Sequence, residues 1–215
     1  MTTCIRLLKL ARWSGLAAML GALLWIGVAG ALAARPDGCI ADECYLPGRS
    51  MRVWDDMAPI FVTALLLTLV GLVGLVVRSW SADRFGRLGR TGLILGVAGI
   101  LTLLAAGLIQ ALFFGGDFPH MPLFVISGLL ALMIGFLLAG IAILRAQVLP
   151  RWAAWPLVLG ALLLLASNDQ NARVLFWVPF GIAWLAVGYC LWSNSPQEER
   201  MHAIALDAGA TKTRS

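Results

Sequence analysis

The sequence predicts an all-α protein, a polytopic transmembrane bundle of six helices, from three observations. Hydrophobic residues make up 60% of the 215 positions and charged residues only 13%, where a soluble domain carries about a quarter charged. The charges cluster in short segments between uncharged apolar runs, and a bilayer core of about 30 Å needs about 20 such residues per helix. The runs are apolar on every face, whereas a membrane strand alternates polar and apolar positions.

The uncharged runs cover residues 13–34, 57–77, 91–116, 121–144, 152–168 and 174–197, the last apolar only to about Trp192. The first ends in Ala31-Leu32-Ala33, a small-x-small pattern a signal peptidase can cut. Its length is that of a span, so an uncleaved helix is expected. The second and third runs flank a basic turn, and the fourth and fifth flank another. These two hairpins share a weak repeat, with Leu93-Ile94-Leu95-Gly96 matched by Leu157-Val158-Leu159-Gly160. The fifth run is the shortest, 15 apolar residues from Trp152 to Ala166, or about 22 Å of helix. Residues 1–193 therefore form one six-helix domain, and 194–215 a polar tail.

Cations set the orientation, because Lys and Arg are retained in cytoplasmic loops. With both termini cytoplasmic, Arg35, Arg49, Arg52 and Arg173 are the only cations outside, and the other twelve of the sixteen Lys and Arg fall inside. Seven of the eleven acidic residues fall outside, including Asp37, Asp55, Asp56 and Asp169. The expected location is a bacterial inner membrane, in contact with anionic lipids of the inner leaflet. The basic balance is a topology signal and gives no support to nucleic-acid binding.

Tryptophans agree with the spans, since Trp prefers the water–lipid interface. Trp13, Trp80, Trp152, Trp155 and Trp192 fall at inner ends, and Trp54 and Trp177 at outer ends. Trp25 and Trp184 lie near mid-membrane, where they fill gaps between helices or face lipid. Small residues mark packing faces: Gly92, Gly96 and Gly99 on the third helix, Ala131, Gly135 and Ala139 on the fourth.

Chemistry is sparse. Cys39 and Cys44 share the first outer loop, where an oxidising compartment favours a structural disulfide. Their Cys-x4-Cys spacing is not the Cys-x-x-Cys of redox catalysts. Cys4 and Cys190 are expected as free thiols near the inner side. The two histidines, His120 and His202, both lie in polar segments, which excludes a haem held between helices by histidine pairs. The expected set has no cofactor, no metal and no catalytic residue. Ser127-Gly128 and Gly115-Gly116-Asp117 are chance matches to intramembrane proteases, since no helix carries a histidine or a second aspartate. No span has a charge in its middle, where ion routes usually carry one. Gln110 is the one amide inside a span, and such a group usually ties helices together.

Two candidate sites follow. Because the fifth run is short, Asn168, Asp169, Gln170 and Asn171 are expected to sit recessed at the outer face. Recessed polar groups need partners, and Asp55, Asp56, Gln110, His120 and Arg173 are the candidates. The cluster either satisfies itself or holds a cation, lipid headgroup or small polar ligand. On the inner side, Arg84, Arg87 and Arg90 alternate with glycine and apolar residues, an arrangement that retains the loop inside and could hold a lipid phosphate.

The stretch from Arg145 to Trp155, with Asn168-Asp169-Gln170-Asn171 and Pro179-Phe180-Gly181-Ile182-Ala183-Trp184, resembles small bacterial polytopic membrane proteins to which no activity is assigned. The resemblance covers about the last third of the chain and implies a compact inner-membrane bundle. The expected function is a non-catalytic bundle that binds a partner protein, a second copy or lipid. The alternatives are a small carrier or pore for a neutral or lipid-like solute, and a lipid-modifying enzyme at the outer interface.

Overall fold

The computed structural model describes residues 2–39, 44, 48, 50, 52, 56–80, 85–114 and 118–193. Among them the chain is helical and has no strand. The helices are α1 (Thr2–Ala33), α2 (Ala58–Trp80), α3 (Gly86–Ile109), α4 (Met121–Ala146), α5 (Arg151–Leu164) and α6 (177–193). A π-turn, Gln110–Phe114, prolongs α3, and a 3-10 turn, Ala172–Phe176, leads into α6.

Five apolar stretches are long enough to cross a membrane: Arg12–Ala33, Ala58–Ser79, Gly86–Phe114, Met121–Ala146 and Ala172–Ser193. This bears out the helical bundle of apolar spans. The sixth predicted span is not among them, since α5 has only 14 residues and a length of about 21 Å. It ends at Leu164, before the predicted run does, and Leu165, Ala166 and Ser167 close turns back onto Leu162, Leu163 and Leu164. At its other end Pro150 is extended and Gln147 takes a left-handed conformation (φ 53°). A left-handed residue followed shortly by proline stops one helix and starts the next.

Small residues decide which helices touch. Gly92 and Gly99 of α3 press on the main chain of α4, where a β-carbon on Gly99 would stand 2.6 Å from the Gly128 carbonyl oxygen. Gly135 returns the contact against Gly92 and Gly96. The predicted faces are those that meet, except that half-buried Ala131 gives its place to Gly128 and Leu132. Gly15 of α1 and Gly188 of α6 pair in the same way, and Gly21 and Gly71 bring α1 against α2. Leu72 of α2 lies over Gly96, Val158 of α5 over Gly140, and Phe180 of α6 over Gly160. The contacts close a ring in the order α1, α2, α3, α4, α5, α6.

Aromatic side chains fill this ring. Trp25 meets Phe61 and Trp177 edge-on at 5.2 Å, and Phe136 bridges Phe180 and Trp184 at 5.0 Å. Of the two mid-membrane sites foreseen for Trp25 and Trp184, gap or lipid face, both take the gap and are buried. Trp25 Nε1 donates to Thr68 Oγ1 at 3.1 Å, and that hydroxyl donates to the Ala64 carbonyl at 2.7 Å. Trp177, expected at an interface, is buried beside Trp25. Trp13, Trp152 and Trp155 are exposed, as an interfacial belt requires. The side chains of Trp54, Trp80 and Cys4, and the tail 194–215, lie outside the described residues. Cys190 is a buried free thiol.

Candidate functional site

One end of the ring carries a polar cap and the other a set of arginines. The cap forms where the chain leaves α1 and α5, in loops whose carbonyls have no partner within a helix and need donors from elsewhere. Arg52 supplies the donors. Its Nη1 donates to the Asp169 carbonyl at 2.6 Å. Nε and Nη2 donate to the Pro36 carbonyl at 3.2 and 3.1 Å, and Nη2 also reaches the Arg35 carbonyl at 3.2 Å and Asp37 Oδ1 at 3.3 Å. Only 2% of the Arg52 side chain is exposed, so a full positive charge is enclosed by main-chain dipoles and one carboxylate. A guanidinium suits this because its five N–H groups fan out in a fixed plane.

The segment after α5 is stitched to the first loop at further points. Gly38 N–H donates to the Gln170 carbonyl at 2.7 Å, and Gln170 Oε1 accepts from Arg52 N–H at 2.7 Å. Asn168 Oδ1 accepts from Gln170 N–H, Gln170 Nε2 donates to Asp169 Oδ2, and Asn171 caps the 3-10 turn by accepting from Arg173 N–H. The segment expected to be recessed is half-exposed, and several of its polar groups are paired. Their partners include Gly38 and Arg52, which sequence reasoning did not place among its candidates.

The other predicted members are distributed as follows. Asp56 forms a two-pronged ion pair with Arg35. The pair holds the Asp56 carboxyl below its usual range, chiefly through the hydrogen bond from Arg35. Gln110 opens the π-turn of α3. His120 precedes α4 and meets Phe118 edge-on at 6.0 Å. Asp55 and Arg84 lie outside the described residues. Asp169 and Gln170 come together with the first loop, Asn171 bonds locally to Arg173, and Gln110 and His120 belong to the α3–α4 hairpin.

The disulfide expected between Cys39 and Cys44 is present, with a Cα–Cα distance of 5.1 Å. Cys39 is buried, and its N–H donates to the Ser50 carbonyl at 3.1 Å. Replacing both cysteines by serine is expected to cost about 2 kcal/mol, the chain entropy of so short a loop. Thermal melts of the double variant, compared with wild type with and without reductant, check this. A smaller effect is expected at Asp56. Because its folded pKa is lowered, the stabilisation is complete above the unfolded value of about 4 and is lost as pH falls through the lowered value. Melts between pH 7 and pH 3 should show that loss in wild type and not in Asp56→Asn.

At the opposite end, a cavity of about 330 Å³ opens between α2 and α3. Val76, Leu93, Ile94, Val97 and Leu101 line it, with Arg90 and Ser79 as its polar members. Phe85 is buried and folds its ring over Gly89. Comparison with protein families, curated proteins and solved structures finds no match for this chain. The roles of its residues therefore rest on their geometry. Among the described residues no three His, Cys, Asp or Glu side chains gather as metal ligands would. The cap is a set of mutually satisfied groups, whose chemistry is to hold two chain segments together. The cavity is an apolar surface to which Arg90 contributes from one end of α3.

Proposed function

We infer that this chain is a non-catalytic, multi-pass membrane bundle that binds lipid or a partner protein on its perimeter. The observation that carries the reading is the interior. Trp25, Phe61, Phe136, Trp177, Phe180 and Trp184 pack ring against ring at its centre. The buried hydroxyls of Thr68 and Ser79 donate to carbonyls of their own helix. A carrier or pore for a polar solute needs a hydrated path lined by polar groups, and these side chains leave the solvent and lipid faces as the places for exchange. The short α5 serves as the sixth span, with its polar turn sunk below the surface and roofed by the first loop. Both termini then lie in the cytoplasm, and the arginine-bearing end of the ring faces the inner leaflet.

Two measurements test this. Alkaline phosphatase fused after Arg214 is expected to be inactive, and a fusion after Gly48 on a truncated chain active. The reverse pattern would overturn the orientation. Native mass spectrometry of the purified protein is expected to find lipid or a stoichiometric protein retained. Solute flux through proteoliposomes, with neither retained, would favour the carrier instead.

A further inference from the structure

We draw no further inference here: the strongest candidate, the outward face of α1 at Gly27 and Gly30, where nothing lies within 4 Å of an added β-carbon, is a stripe of small residues, and nothing in the structure shows what covers it.

Discussion

Replacing Arg52 by methionine is expected to destabilise the protein by about 3 kcal/mol, the order of losing several hydrogen bonds from one charged group. The cost arises less from the lost charge than from what it leaves behind. The carbonyls of Arg35, Pro36 and Asp169 all accept from this guanidinium, and each hydrogen bond from a charged donor is worth about 1.5–3 kcal/mol. Water reaching the cap recovers part of that sum, which keeps the estimate near its lower end. Arg52→Lys separates shape from charge. An ammonium supplies the charge but not the planar fork, so it should recover only a fraction. Chemical unfolding in mixed micelles measures both variants, and a loss below about 0.5 kcal/mol, typical of a surface substitution, would show that the cap does not depend on this residue.

Arg52 also shows where sequence reasoning stopped. It was visible as one of four cations on the less basic side, indistinguishable there from Arg49. What distinguishes it is a bond to Gln170 and another to Asp169, across 118 and 117 positions, and no local pattern carries such a pairing. A usable signal did exist. The loops after α1 and α5 carry carbonyls outside any helix, at Arg35, Pro36 and Asp169, and a fan of five N–H groups on one side chain can serve several of them at once.

A valine at Gly135 should have an effect of about 3 kcal/mol or more, at the upper end of what overpacking costs. Its β-carbon would overlap the main chain of Gly96 and stand 2.7 Å from the Gly92 carbonyl oxygen, so α3 and α4 must separate along their whole seam. Side chains can rotate away from an intruder, whereas two backbones cannot. Gly107→Ala is the matching control. Nothing lies within 4 Å of the added methyl there, and the change should be neutral or stabilising by up to about 1 kcal/mol through helix propensity. Thermal melts of the two variants, side by side, check both values. Equal melting temperatures would mean that close backbone approach does not hold this seam.

The α3–α4 seam is the part of the packing that the sequence revealed best. Glycine spacing at 92, 96 and 99 is a local pattern with a direct steric meaning, and the packing face it marks lies against Gly135 and Ala139. The sides taken by Trp25 and Trp184 were not legible. Their helices are apolar all round, so hydropathy gives no direction to the core. What turns these tryptophans inward is the small residue opposite, such as Gly71, which leaves room for the Trp184 ring. The disulfide and the spans were legible for the same reason as the seam: each depends on residues close together in the chain.

The cap also places a clock on assembly. Its two halves are 118 residues apart, and a chain lengthening at about 5–20 residues per second needs about 6–24 s to add the second after the first. For that interval the α1–α2 hairpin exists with Arg52 unroofed and without its partners at Asp169 and Gln170. The ring likewise stays open until α6 arrives to bring Gly188 against Gly15. Nascent chains halted before Gln170 should therefore present an intermediate whose first loop is open to proteases, and chains released after α6 should not.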